Sequence, residues 1–161
     1  MIIGDDSSPI LIGTEESDSM FGGFSAEVAH ILAGGGGDDV LVGGFTIAGD
    51  VLKGELGNNL LFLGSFAAII EVGKHAETDT VYGFGEGDIL RIAEATSPRE
   101  ISSAQVDGDV VLNIGGLGGQ AADHATVTLK GVDFHDIQAG VDEFGFLQFA
   151  FHHATDIAPL G

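Results

Sequence analysis

The chain has 161 residues, 27 of them Gly, and sets 25 Asp and Glu against 5 Lys and Arg for a net charge of −20. Its 44% hydrophobic content supplies the apolar surface for one packed domain, which a solvated acidic tail lacks. The charge excludes nucleic acid and anionic membrane surfaces as partners and leaves cations, and the absence of Cys excludes disulfides, thiolate metal sites and a Cys nucleophile.

Taken in order, the chain opens on Met1-Ile2-Ile3-Gly4-Asp5-Asp6, without the basic and long apolar regions of a cleaved signal peptide. No apolar run reaches the length of a membrane span. From Gly4 a repeat of about nine residues sets in. Gly4 to Ile12 has Gly first and Leu11 eighth; Gly13 to Phe21 has Gly first, Asp18 sixth and Met20 eighth. Gly34-Gly35-Gly36-Gly37-Asp38-Asp39-Val40-Leu41-Val42 fills every position of Gly-Gly-x-Gly-x-Asp-x-U-x, where U is a large aliphatic. Gly54 to Phe62 keeps the frame with Asn59 at the sixth position. Longer units, Gly22 to Ala33 and Gly43 to Lys53, alternate with these, and a degenerate unit runs from Gly64 to Glu71.

The U positions are Leu11, Met20, Leu32, Leu41, Leu52, Leu61 and Ile70. Each unit is a Gly-rich turn followed by a strand too short to stand alone, so stacking the units buries these side chains as ladders. With two units per turn, the short units from Gly13, Gly34 and Gly54 share one edge and the long units share the other. Phe24, Phe45 and Phe66, each 21 residues from the next, then fall in one column and predict an aromatic ladder.

The short-loop edge has the composition of a calcium site. Calcium takes six to eight hard oxygen ligands, and a Gly-rich turn aims several carbonyls at one point while Asp adds charge. The candidate ligands are Asp18, Asp38, Asp39 and Asn59 with the turn residues Gly34, Gly36, Gly37 and Gly57. They predict one or two Ca²⁺ ions, between the Asp18 and Asp39 loops and between the Asp39 and Asn59 loops. The first site has Glu15-Glu16 where Gly belongs, and the second lacks a charge at Asn59. The long-loop edge presents Pro9, His30, Asp50 and Ala68, which is no calcium set. That edge is expected to be metal-free and held by packing, with a Zn²⁺ site at His30 and Asp50 as the alternative.

On these residues the chain resembles the RTX calcium-binding β-roll family. Asp79-Thr80-Val81-Tyr82-Gly83-Phe84-Gly85-Glu86-Gly87-Asp88-Ile89-Leu90-Arg91-Ile92 is similar to the segment that follows β-rolls in serralysin-type proteases and alginate epimerase modules, where it closes the end of the roll. Ala125-Thr126-Val127-Thr128-Leu129-Lys130-Gly131-Val132 resembles a strand near the C-terminus of the same modules. The resemblance implies a protein exported from a Gram-negative bacterium by type I secretion, with an uncleaved C-terminal signal that the apolar, acidic tail would provide. The chain departs from that family in its few and mostly degenerate repeats, and the large catalytic or toxin domain usual upstream in the family is not expected here.

No His-Glu-x-x-His, Gly-x-Ser-x-Gly or phosphate-loop pattern occurs, so the chain is expected not to be an enzyme. The adjacent pair His152-His153 would face opposite sides of a strand, and His135-Asp136 and Asp123-His124 read as solvated turns. The tail carries Phe144, Phe146, Phe149 and Phe151, which read as a last strand capping the core, Phe144 and Phe146 alternating as one strand face would.

The expected architecture is all-β: a parallel β-roll of about three turns over residues 4–73, closed by an antiparallel β module over 78–151, with a tail at 152–161. The expected function is a secreted, calcium-binding structural module of an extracellular matrix, surface layer or filament. Its partners would be calcium and other copies joined through the open end of the roll. The alternative is an accessory module that binds an extracellular polysaccharide.

Overall fold

The computed structural model describes residues 1–64, 67–73, 77–93, 98–115 and 124–151. Ten short strands wind as a parallel coil: β1 (Ile2–Ile3), β2 (Ile10–Ile12), β3 (Ser19–Phe21), β4 (Ile31–Ala33), β5 (Val40–Val42), β6 (Val51–Lys53), β7 (Gly57–Phe62), β8 (Ile69–Val72), β9 (Glu77–Tyr82) and β10 (Ile89–Ile92). Odd-numbered strands lie in one sheet and even-numbered strands in the other. β2 to β6 are triplets with only the middle side chain, an aliphatic or Met20, buried, a pattern that cannot hold a strand by itself but closes a core when repeated.

The register confirms the repeat frame. On the odd-numbered sheet Ile2, Met20, Leu41, Leu61 and Val81 are successive partners. On the other sheet the row is Leu11, Leu32, Leu52, Ile70 and Leu90. All the predicted U residues are buried, Leu32, Leu41, Leu52, Leu61 and Ile70 completely. Each fully buried Leu contributes roughly 2 kcal/mol.

The coil runs about four turns rather than three. Asp79–Ile92, expected from the resemblance to close the roll, instead supplies another turn: β9 continues β7 and β10 continues β8, both parallel and in register. The remaining strands are β11 (Ile101–Val106), β12 (Asp109–Ile114), β13 (Ala125–Leu129), β14 (Ile137–Val141) and β15 (Leu147–Phe151). β13 pairs with β9 in parallel, and β12 and β11 follow antiparallel. β15 and then β14 extend the other sheet antiparallel from β10. Both ladders therefore run on into the closing strands, one through Leu129 and Val110, the other through Phe149. The only helical elements among the described residues are the 3-10 turns Pro98–Glu100 and Phe134–Asp136. None of the described helices is long and apolar enough to cross a membrane.

The aromatic column lies on the surface. Phe24 and Phe45 stack with centroids 5.7 Å apart and planes 10° from parallel, and Phe21 meets Phe24 edge-on at 5.0 Å. Phe24 is 79% exposed; Phe66, the third ring of the expected ladder, lies outside the described residues. At the C-terminal end the capping strand begins at Leu147, after the expected Phe144 and Phe146, which sit in an exposed turn. Of the four tail aromatics, Phe149 and Phe151 pack on the core, together with Leu147. His152, His153, Asp123 and the 152–161 tail lie outside the described residues.

Candidate metal centre

The short loops stack as the alternation of units predicts, so Asp18, Asp39 and Asn59 occupy one position in successive turns. The backbone N–H of Asp18 donates to Asp39 Oδ1 at 2.8 Å, and that of Asp39 donates to Asn59 Oδ1 at 3.0 Å. Asn59 Nδ2 then donates to Asp79 Oδ1 at 2.9 Å, extending the row one turn beyond the predicted sites. One position earlier a second row runs the opposite way. Asp38 N–H donates to Ser17 Oγ at 3.1 Å, and Asn58 N–H donates to Asp38 Oδ1 at 2.9 Å. Asp18 Oδ2 turns back to accept Thr14 N–H at 2.8 Å. The loops are also tied by backbone bonds, Gly36 N–H to the Thr14 carbonyl at 2.8 Å and Leu56 N–H to the Gly35 carbonyl at 3.0 Å. Each of those carbonyls keeps a second lone pair.

Glycine permits this stacking. Gly35 and Gly37 have φ of 95° and 91°, and a Cβ on Gly35 would lie 2.2 Å from the Thr14 carbonyl oxygen. A Cβ on Gly34 would sit 2.2 Å from Asp39 Oδ2, so the Asp39 carboxylate is cradled against bare backbone. Gly57 makes an equally close approach to the Gly37 carbonyl, and Gly36 lies under the Glu15 carboxylate. Glu55, which stands where the complete repeat has Gly35, is held at φ 65°. A non-glycine residue in that region is strained by roughly 1–2 kcal/mol.

Two carboxylate oxygens in this row have no hydrogen-bond partner. Asp39 is 1% exposed and Asp79 fully buried, yet Oδ2 of each accepts nothing. Burial raises the Asp39 pKa; the Asp18 N–H opposes this, and the charges of Asp18, Asp38 and Glu55 add to it. Asp79 is pushed up to about 7, chiefly by burial, with the hydrogen bond from Asn59 opposing and the charge of Asp39 adding. Asp18 and Asp38 lie below the usual carboxylate range because Thr14 and Asn58, respectively, donate to them. Among the described residues no three His, Asp or Glu side chains converge as a metal-ligating cluster. A cation at this edge would therefore draw on backbone carbonyls and the Asn59 amide as well as on carboxylate.

The long-loop edge is held by more than packing. Asp50, 3% exposed, accepts His30 N–H at 2.7 Å through Oδ1 and Gly44 N–H through Oδ2. Asp88 accepts Ala68 N–H at 2.7 Å and Gly85 N–H at 2.8 Å in the same manner. Each carboxylate thereby joins two turns through amide donors alone. The His30 ring is fully buried, with Nδ1 3.6 Å from Asp50 Oδ1 and Nε2 3.3 Å from the Asp5 carbonyl oxygen. Each Asp50 oxygen accepts one amide, and among the described residues no third His, Asp or Glu converges with His30 and Asp50 as a Zn²⁺ site would need.

Asp79 and Asp88 were not among the predicted site residues. Their signal is the spacing Asp-x-aliphatic, Asp79-Thr80-Val81 and Asp88-Ile89-Leu90, which repeats Asp39-Val40-Leu41 and Asp50-Val51-Leu52. No protein-family model and no curated protein sequence matches the chain.

Proposed function

We propose that the chain is a calcium-binding β-roll module with a non-enzymatic, structural role in an extracellular assembly, exported by type I secretion as the RTX resemblance implies. The observation that carries this reading is Asp39. At the sixth position of the one complete repeat, its Oδ2 is buried without a partner, and the charges of Asp18, Asp38 and Glu55 act on it with the same sign. An unpaired buried carboxylate oxygen is costly unless a cation meets it.

The residues suited to hold calcium are Asp39 with the Gly34–Gly37 turn on one side and Gly57 and Asn59 on the other. Asp18 and Asp38 supply charge nearby, and Asp79 extends the row. Bound calcium would supply positive charge that neutralises these carboxylates and joins successive turns. Without it, the Gly-rich loops carry a high ordering entropy and the acids repel one another, so the short-loop edge loosens.

The test is calorimetric titration of Ca²⁺ into chelator-treated protein. We expect one or two ions to bind, and Asp39→Asn to weaken the site next to it; absence of binding at millimolar calcium contradicts the reading. The exposed Phe24–Phe45 stack favours a second reading, an accessory polysaccharide-binding module, because sugar rings pack on aromatic surfaces. Loss of glycan retention in Phe24→Ala would support it.

A further inference from the structure

Both sheets stop at the same end of the molecule, in β11 on one sheet and β14 on the other, and neither outer edge is paired by a described strand. Neither strand contains a charged residue or a proline, in a chain with 25 acids. Residues 102–106 and 138–141 are exposed, Val106 and Val141 by 47% and 60%. Sheet edges of this length are ordinarily blunted by charge, proline or a covering element. At the other end the sheets stop in β1 and β2, of two and three residues, where shortness itself limits pairing.

Among the described residues the sandwich between β11 and β14 is bridged only near Gln105, whose side chain donates to the Val132 carbonyl at 3.0 Å and accepts the Phe134 N–H at 2.6 Å. Pairing with buried Ile114, Leu112 and Val110 puts Ile101, Ser103 and Gln105 on the inward face of β11. Pairing with Leu147 and Phe149 does the same for Val141 and Ala139. Ile101, Ser103, Ala139 and Val141 border an apolar groove of about 280 Å³. A single peptide strand laid on either edge would extend one sheet and leave this groove open. Filling it takes a partner with two edges held about 10 Å apart, and the chain itself is such a partner.

We propose that this end is a self-association face on which two copies meet tail to tail about a twofold axis normal to the sheets. β11 then pairs antiparallel with β11 of the second copy, and β14 with its counterpart. The backbone is set for it. Gly115 N–H donates to the Glu100 carbonyl at 2.8 Å, so the alternation of an antiparallel ladder turns the N–H and C=O groups of Ile101, Ser103 and Gln105 outward. The register that uses all three centres the twofold on Ser103 and sets Ile101 against Gln105 of the second copy. Such a contact is isologous and closes at the dimer. Its strands are only about 20 Å long, which places it among weak, concentration-dependent interfaces. Because each copy carries −20, salt strengthens the dimer by screening repulsion. The inference deepens the assembly part of the proposed function and does not depend on calcium.

Sedimentation equilibrium of the whole chain, from about 10 μM to about 1 mM, tests it at low and high NaCl, with calcium and with EGTA. We expect a monomer–dimer equilibrium that tightens with salt. Ser103→Glu, which sets two carboxylates face to face, and Ser103→Pro, which removes the outward N–H but no bond to β12, should each weaken it at least tenfold. Ile12→Glu, on β2 at the opposite end, should leave it unchanged. A monomer throughout, assembly growing past the dimer, or association abolished by Ile12→Glu and untouched at Ser103 overturns the proposal. Circular dichroism of the same samples separates the two readings. A calcium response in a strict monomer removes the dimer alone, and a dimer without a calcium response removes the calcium site alone.

Discussion

Asp39 Oδ1 accepts the backbone N–H of Asp18, which lies 2.8 Å away in space and 21 positions earlier in the chain. One carboxylate thus divides its work. Oδ1 ties its turn to the preceding one, while Oδ2 is buried without a partner. The two roles separate under substitution.

Asp39→Ala leaves the Asp18 N–H unpaired and should cost on the order of 1–3 kcal/mol with or without calcium. Asp39→Asn keeps an acceptor and removes a charge that Asp18, Asp38 and Glu55 repel. In EGTA it should be as stable as the parent or more so, with a smaller gain on adding calcium. Urea unfolding in both conditions measures the pair.

Asp50 provides the contrast. Its oxygens are satisfied by His30 N–H and Gly44 N–H, so Asp50→Ala strands two buried amides and should cost roughly 2–4 kcal/mol. The calcium increment in melting temperature should match the parent's.

Glu55, at φ 65°, should gain from Glu55→Gly by about 1 kcal/mol as the strain is released. Gly35→Ala should do the reverse and more, because φ is 95° and the new Cβ would meet the Thr14 carbonyl oxygen at 2.2 Å. Thermal melts of the two variants should move in opposite directions.

Stability in EGTA should fall as pH rises from about 4 to about 7. Burial raises the carboxyls of Asp39, Asp79 and Asp88 above their ordinary value, Asp79 to about 7. Groups shifted this way favour the folded state when protonated, and that contribution is lost as pH passes the folded pKa. Asp5, Asp18, Asp38, Asp109 and Asp133 are shifted down by local donors. They act with the opposite sign and only below the usual carboxylate range, and solvent screening weakens those of Asp5, Asp38 and Asp133, which are exposed. Calorimetric melting temperatures across this window should therefore decline, and calcium should flatten the decline.

The coil was legible because stacking demands a constant interval, and Leu11 to Ile70 keep one. Its fourth turn was harder to see. Asp79-Thr80-Val81 has no Gly in the five residues before it, and Asp88-Ile89-Leu90 keeps Gly83 first and Asp88 sixth but has Gly85 and Gly87 at the third and fifth positions, where the complete repeat requires Gly at the second and fourth. The parallel seat of β13 on β9 joins residues 125–129 to 77–81, a choice made by the exposed sheet end and not by local pattern. The stacking of the short-loop residues Asp18, Asp39 and Asn59 was legible as a group, since one frame sets them all. The clamp at Asp50 was not, because its donors, His30 and Gly44, meet only once the pitch of the coil is fixed.

The central claim is that calcium completes the short-loop edge. Thermal unfolding followed by circular dichroism, in EGTA, in millimolar calcium and in millimolar magnesium, tests it most directly. Calcium should give more β-structure and a higher melting temperature, magnesium should change little, and Asp39→Asn should lose most of the calcium increment. An identical spectrum and melting temperature in EGTA and calcium would contradict it.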